Sequence, residues 1–224
     1  MLESLFGSNA AISNTIISAL IVIIPALLCI TVHELAHGYT AYRLGDSTAK
    51  DMGRLTLNPI KHIDPFGLLM MIIFRFGWAK PVPVNMHTFK HPKRYMAITA
   101  FAGPLSNLML ALVVVVIYGL LTPLIYSINS LTTFLIVTEL FRTTIWLSTM
   151  LAVFNLLPIP PLDGSKIFFS LLSEESYYKL MRYERFGIII LIIVLNTPVF
   201  RSTIGRFTEV LFRGFVYAGN MFSF

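Results

Sequence analysis

Charged residues are scarce in this sequence. Only 12% of its 224 residues are charged, whereas soluble proteins average about 25%. Hydrophobic residues make up 56% of the chain, and the mean hydropathy is +0.76. This composition excludes an ordinary soluble domain. It also excludes a disordered chain, because disordered segments are poor in the residues that build a core.

Cysteine is nearly absent as well, since Cys29 is the only one in the sequence. One cysteine cannot form a disulfide within the chain, which excludes a disulfide-stapled scaffold. A transmembrane helix needs about 20 apolar residues, so a chain of this length has room for four to six. The composition therefore predicts a helical protein that crosses the membrane several times and has no sizeable domain outside it.

Lysine and arginine are missing from two long parts of the sequence, before Arg43 and between Arg94 and Arg142. From Arg43 to Arg94, by contrast, there are nine basic residues and three aspartates. Because cytosolic loops carry an excess of basic residues, residues 43–95 are predicted to be cytosolic and the N-terminus to lie outside. A basic segment can also attract nucleic acid, but no basic-aromatic stripe is present, so we expect no nucleic-acid partner.

Four apolar runs are candidates for transmembrane helices: residues 10–30, 96–121, 131–157 and the marginal 186–199. The first run continues helically to residue 42, and Pro25 is expected to kink it. Residues 201–224 space three arginines among phenylalanine and valine. We expect an interfacial amphipathic helix there, with a fifth transmembrane helix as the alternative.

Two unusual pieces lie between the first two predicted transmembrane helices. Residues 67–76 are apolar but too short to cross the membrane, which favours a re-entrant or interfacial segment. The sequence PVPV at residues 81–84 alternates like an edge strand or hairpin, where proline is tolerated. The predicted fold is thus an all-α polytopic membrane protein with about four to five transmembrane helices and a short re-entrant or β-hairpin segment between the first two. Residues 1–224 are expected to form a single membrane-embedded domain.

The motif with most chemical content is HELAH at residues 33–37, near the predicted cytosolic end of the first transmembrane helix. His33 and His37 are four residues apart, so both imidazoles lie on one helix face and can bind one metal ion. Glu34 is close enough to act as a general base toward water at that metal. The alternative is a helix end with solvated polar groups. An ionised residue costs about 2.5–3.5 kcal/mol at mid-membrane, however, so three adjacent ionisable groups favour the metal site.

Two histidines alone leave the coordination of a catalytic zinc incomplete, because such sites usually take three protein ligands. Asp163 is the best-placed third ligand. It lies near the end of NLLPIPPLDG at residues 155–164, at the predicted cytosolic end of the third transmembrane helix. The alternative interpretation of PPLDG is a simple turn that Asp163 caps.

Two asparagines are further candidates for the site. Gly103 and Asn107 are four residues apart in the second predicted transmembrane helix. Glycine permits close helix approach, and an asparagine within a membrane needs a hydrogen-bond partner. Asn107 therefore either joins two helices or points its amide into the active-site cleft, toward substrate or an oxyanion. The same two interpretations apply to Asn155.

Six motifs in one order make the sequence resemble the site-2 protease family of membrane-embedded metallopeptidases: HELAH at 33–37, LGD at 44–46, GRLTLNP at 53–59, the segment 79–85, GPLSN at 103–107 and NLLPIPPLDG at 155–164. The chain looks like a compact prokaryotic-type member. In such a member we expect neither a PDZ-type domain between the first two transmembrane helices nor a C-terminal cystathionine-synthase-like domain. The single domain of residues 1–224 would then be a metalloprotease domain.

The resemblance implies one zinc ion per chain, held by three side chains: His33, His37 and Asp163. It implies that Glu34 is the catalytic base. It also implies that residues 81–85 lie near the active site and pair with an unfolded substrate, and that Asn107 and Asn155 belong to the catalytic cleft.

The leading hypothesis is therefore an intramembrane zinc endopeptidase of the cell membrane, active in regulated intramembrane proteolysis. It would cleave transmembrane segments of other proteins near the cytosolic face. Its partners would be a transmembrane protein or peptide substrate and the lipid bilayer, and a regulatory membrane partner is compatible with the sequence. One alternative is a zinc transporter or metal chaperone, since intramembrane His and Asp also line ion paths. The other is a catalytically silent membrane scaffold. A scaffold would not need the three expected metal ligands and the expected catalytic base, which are His33, His37, Asp163 and Glu34.

Overall fold

The computed structural model describes residues 11–67 and 79–220. Eight α-helices follow one another within them: α1 (Ala11–Arg43), α2 (Thr48–Asp51), α3 (Pro92–Tyr126), α4 (Leu131–Asn155), α5 (Asp163–Phe169), α6 (Glu174–Arg182), α7 (Glu184–Leu195) and α8 (Pro198–Asn220). Short 3-10 turns occur at Pro59–His62 and Met86–Thr88. The predicted re-entrant segment, residues 67–76, lies almost entirely outside the described residues.

Three of the described helices are long and apolar enough to cross a membrane: Thr15–Arg43 within α1, the whole of α3 and the whole of α4. At 1.5 Å per residue, the 25 residues of α4 span about 38 Å, more than the ~30 Å hydrocarbon core. In α7 the apolar stretch Phe186–Leu195 is shorter. The prediction of an all-helical membrane fold is confirmed, and the chain is a membrane protein.

The centre of the fold is the mutual packing of α1, α3 and α4. Small side chains lie where these helices meet. Cys29 of α1 is fully buried, and its Sγ lies 3.1 Å from Oγ of Ser148 on α4. Ala111 of α3 and Ala152 of α4 are also fully buried. Because small residues let backbones approach closely, the helices can pack tightly without the hydrophobic driving force that water supplies.

The C-terminal helix α8 packs against α3 and α4. Phe212 and Phe215 of α8 contact a buried apolar cluster that includes Val115 of α3 and Ile145 of α4. Among the described helices, α8 is not one of those apolar enough to cross a membrane. The helix that the sequence indicated is present, and its interfacial placement stays a prediction.

The segment that enters the functional region, residues 79–85, is attached at its start by the polar loop after α2. Ile63 and Ala79 form an isolated antiparallel bridge. Lys80 N–H donates to the carbonyl of His62 at 2.9 Å, and Nη2 of Arg54 donates to the carbonyl of Lys80 at 2.9 Å. Hydrogen bonds to the polar loop after α2 therefore fix the start of the segment 79–85.

Asp46 attaches the other end of this segment. Its carboxylate is fully buried and accepts hydrogen bonds from N–H and Oγ1–H of Thr48 and, at 2.7 Å, from N–H of Asn85. Burial opposes ionisation of Asp46, but the hydrogen bonds from Thr48 and Asn85 outweigh it and hold its pKa below the ordinary value of 3.8. The LGD motif at residues 44–46 thus joins the end of α1 to the segment 79–85.

We expect Asp46→Ala to destabilise the fold by about 2 kcal/mol, because a buried N–H of Asn85 loses its charged acceptor. That change corresponds to about 4–8 °C in the melting temperature in detergent. Since the pKa of Asp46 is lowered by folding, its contribution is present above about pH 4 and is lost as pH falls through the folded-state pKa. The difference between wild type and variant should therefore shrink in acid. Asp51→Ala, which removes an exposed aspartate nearby, should melt at the same temperature as wild type. An equal fall in melting temperature in both variants would contradict the structural role given to Asp46.

Candidate metal centre

Two histidines of α1 form the base of the site. His33 and His37 lie one helical turn apart and are 7% and 9% exposed. Their rings meet edge to face with centroids 4.6 Å apart, and their Nε2 atoms are 3.0 Å apart. The i, i+4 spacing has therefore brought two nitrogen donors to one point, as the sequence predicted.

Asp163 reaches the same point from the other half of the chain. It begins α5, after a loop that contains a cis peptide bond between Pro160 and Pro161. Its Oδ2 lies 3.1 Å from Nε2 of His33 and 3.2 Å from Nε2 of His37. The three ligand atoms lie within 4.8 Å of one another. Two imidazole nitrogens and one carboxylate oxygen are a donor set typical of catalytic zinc, which leaves a further position open for water or substrate.

The hydrogen bonds behind the histidines fit a metal at Nε2. Nδ1 of His37 lies 2.7 Å from the carbonyl oxygen of Thr99, so this nitrogen donates its N–H there and Nε2 is the nitrogen that faces the metal position. Metal-binding histidines usually donate their second N–H to such an acceptor, which fixes the tautomer and the ring orientation. The three side chains are thus positioned to bind a metal ion.

The charge of Asp163 also suits this role. Burial opposes its ionisation, but the hydrogen bonds and charges of His33 and His37 outweigh burial and hold the pKa of Asp163 well below its usual range. A carboxylate must be ionised to act as a metal ligand. Asp163 is therefore ionised in the site, which is the form that binds metal.

Asn107 lies behind His33 instead of in the cleft. It is 0% exposed, and its side-chain amide nitrogen is 3.3 Å from Nδ1 of His33. Its Oδ1 has no partner among the described residues. Rotating the amide by 180° places Oδ1 against Nδ1–H of His33, which satisfies both groups when Nε2 binds metal. The structure thus places Asn107 next to a metal ligand and away from the cleft surface.

A cleft of about 440 Å³ opens beside the three ligands and brings Glu34 and Asn155 to its wall. Glu34 points an oxygen at the segment 79–85, where its Oε2 accepts a 2.7 Å hydrogen bond from N–H of Val82. Asn155 ends α4 and donates from Nδ2 to the carbonyl of Leu151 in its own helix. Both candidates from the sequence therefore share one cleft with the metal ligands.

Gly103 explains how α3 can pass so close to the two histidines. A Cβ on Gly103 would overlap His37, 2.5 Å from its Nε2, and would lie 2.7 Å from Cε1 of His33. Any side chain at this position would therefore displace the donor atoms. The glycine of the GPLSN motif serves the metal centre as well as helix packing.

Sequence reasoning missed several members of the site. Val82 and Thr99 contribute through main-chain atoms, which no side-chain pattern reveals. Lys166 and Glu184 also line the cleft, where Nζ and Oε1 are 3.6 Å apart. Lys166 follows Asp163 by three residues, so the spacing could have predicted that both residues lie on the same face of α5.

The comparisons with known proteins agree with this site. The family model "Peptidase family M50" matches residues 20–196. YwhC of Bacillus subtilis, provisionally named a zinc metalloprotease, is 42% identical over 178 residues, 79% of this chain and 80% of the relative. Rip2 of Mycolicibacterium smegmatis, named in the same way, is 32% identical over 211 residues, 89% of this chain and 74% of the relative. No solved structure matches the chain significantly.

We expect Asp163→Ala to remove bound zinc from the purified chain. A chain with His33 and His37 alone lacks the third donor, so the loss of affinity should exceed the 10–100-fold that follows removal of an outer hydrogen-bond partner. Zinc per chain, measured by elemental analysis after dialysis, should fall from one to near zero. Glu184→Ala removes another carboxylate of the same cleft and should keep its zinc. Full zinc content without Asp163 would mean that the third ligand is a different residue.

Gly103→Ala should also lower zinc affinity, because the new methyl group displaces both imidazoles. Gly205→Ala is a matched control, since a Cβ at Gly205 meets nothing within 4 Å. Competition with a chelator of known affinity compares the two variants. Unchanged zinc binding in Gly103→Ala, with a normal melting temperature, would show that α3 does not constrain the histidines.

Proposed function

Because the chain belongs to peptidase family M50, the site-2 protease family, and is a zinc metalloprotease of the membrane, we propose that it is an intramembrane endopeptidase. Its substrates are transmembrane segments of other membrane proteins, cut near the cytosolic face. The observation that carries the proposal is the convergence of three metal ligands and Glu34 in one cleft, with His33, Glu34 and His37 inside a helix long and apolar enough to cross the membrane.

The depth of the site supports cleavage within the bilayer. His33 follows Thr15, the start of the candidate transmembrane stretch, by 18 residues (33 − 15). At 1.5 Å per residue this is about 27 Å along α1, close to the far edge of a ~30 Å hydrocarbon core. The basic residues between Arg43 and Arg94 follow directly, which favours the cytosolic side for this edge. We therefore propose that the N-terminus is outside and that water reaches the cleft from the cytosol.

Glu34 is the proposed general base. Its carboxylate lines the cleft, where Oε2 accepts a hydrogen bond from N–H of Val82. Glu34 removes a proton as the water oxygen adds to the carbonyl carbon of the scissile peptide. It then passes that proton to the nitrogen, the C–N bond breaks, and a carboxylate and an amine result. Zinc bound by His33, His37 and Asp163 supplies Lewis acidity, which activates water and polarises a carbonyl.

The two asparagines are assigned different parts in this proposal. Asn155 lines the cleft, so its amide can bind the substrate and the negative charge that develops on the carbonyl oxygen. Asn107 is buried against His33, so we propose that it orients the imidazole instead of contacting the substrate. A hydrogen bond of this kind keeps a ligand in one tautomer.

The substrate must lose its helical structure before it can be cut, because a peptide bond inside a helix is enclosed by its own hydrogen bonds. Pro81, Val82 and Val84 line the cleft, and N–H of Val84 has no partner among the described residues. We propose that this segment pairs with the unwound part of the substrate, as a sheet edge pairs with a peptide. Such pairing satisfies the backbone groups that unwinding of the substrate helix leaves without partners.

Glu34→Gln should abolish cleavage while zinc content stays at one per chain. The glutamine keeps an acceptor for Val82 N–H but cannot take the proton, so we expect a rate loss of about 10²–10⁴-fold. The assay uses purified chain in lipid vesicles with a set of single-span peptides, and mass spectrometry identifies the cut.

Glu184→Gln, in the same cleft, is the matched control and should retain most activity. Undiminished cleavage by Glu34→Gln would remove Glu34 from its role. Cleavage of soluble unfolded peptides alone, with every membrane-inserted peptide intact, would exclude the intramembrane part of the proposal.

A further inference from the structure

A second hollow, of about 640 Å³, lies at the end of the bundle where α3 begins and α4 ends. One wall is the start of α3 with Lys90 just before it, and the other is the corner between α5 and α6, with Ser170 and Tyr178. It shares no lining residue with the metal-centre cleft. We name it the basic hollow, after the cations that line it.

The charge of the basic hollow is positive. Lys90, Lys93 and Arg94 line it, and Glu174 is the one carboxylate on its described wall. Nζ of Lys93 donates to the carbonyl of Leu172, which fixes this side chain against the corner after α5. Lys90 and Arg94 are exposed, and no ion pair involves either of them within the described part of the chain. Two cations are therefore available for an anion.

An apolar stripe leads away from the basic hollow along α3. Ile98 lines the hollow and also begins the stripe, which continues with Phe101, Leu105 and Met109. These residues are separated by three or four positions, so they share one helix face, and each is 42–52% exposed. Because α3 is a candidate transmembrane helix, this face can lie against acyl chains just below the cations.

We propose that the basic hollow binds the phosphate of an anionic phospholipid, whose acyl chain lies along the stripe from Ile98 to Met109. Basic pockets beside transmembrane helices attract lipid phosphate, and each nearby Lys or Arg contributes about 1 kcal/mol, or about fivefold in affinity. A soluble phosphate would be attracted by the same cations but would gain nothing from the apolar stripe. The site needs only that this end of the bundle meets a membrane surface, so it is independent of the proposed cleavage.

The test is lipid binding to the full chain in detergent, measured by native mass spectrometry. Phosphatidylglycerol is the anionic probe, and phosphatidylcholine is its zwitterionic counterpart. Wild type should bind the first phosphatidylglycerol more tightly than phosphatidylcholine. The double variant K90Q/R94Q should bind phosphatidylglycerol about 25-fold more weakly, which corresponds to two basic contacts. Binding of phosphatidylcholine should not change.

K179Q/R182Q is the matched control, because it removes the same charge from α6 at the same end of the molecule without altering the lining of the basic hollow. Equal loss in the two double variants would show that phosphatidylglycerol responds to overall charge, and it would overturn the proposal. So would the absence of any wild-type preference for phosphatidylglycerol. Equal melting temperatures without lipid establish that both variants are folded.

Two further measurements separate the lipid from other anions. Glu174→Gln removes the opposing carboxylate and should strengthen phosphatidylglycerol binding several-fold, a gain that general damage to the fold cannot produce. Inorganic phosphate at millimolar concentration should leave the bound lipid in place. Displacement by inorganic phosphate would assign the hollow to a soluble anion and overturn the lipid assignment.

Discussion

The close approach of α1 and α3 at Gly103 is the contact on which the functional region depends. Because this position has no side chain, the rings of His33 and His37 can occupy the space that a Cβ would need. The same passage of α3 brings the carbonyl of Thr99 to one histidine and the amide of Asn107 to the other. The two helices thus hold both imidazoles in one orientation.

Buried ionisable groups shape the rest of the arrangement. Asp163 and the two histidines are at least nine-tenths buried, in a region where unpaired charge is costly. Their mutual contacts offset that cost without a metal, and a metal ion can replace those contacts by binding all three. The loop before α5 therefore has to bring the carboxylate of Asp163 to the two histidines of α1. His33 lies 130 residues before Asp163 in the chain.

Much of this arrangement followed from the sequence because it rests on spacing. The separation of His33 and His37 specifies one helix face, and the apolar runs specify the transmembrane helices around it. Asp163 was predicted from topology, since the third transmembrane helix returns to the side on which the first ends. The sequence could not place Asn107, because the amide of an asparagine in this helix can either join two helices or face the cleft. Nor could it find the contribution of Val82, which is made by the backbone.

The hydrogen bond from N–H of Val82 to Glu34 sets how the segment 79–85 is aligned with α1. Val82 lies between Pro81 and Pro83, and proline has no N–H to donate. A shift of the segment by one residue in either direction would present Glu34 with a ring nitrogen that carries no hydrogen. The two prolines therefore exclude a slip of this segment by one residue against the HELAH helix.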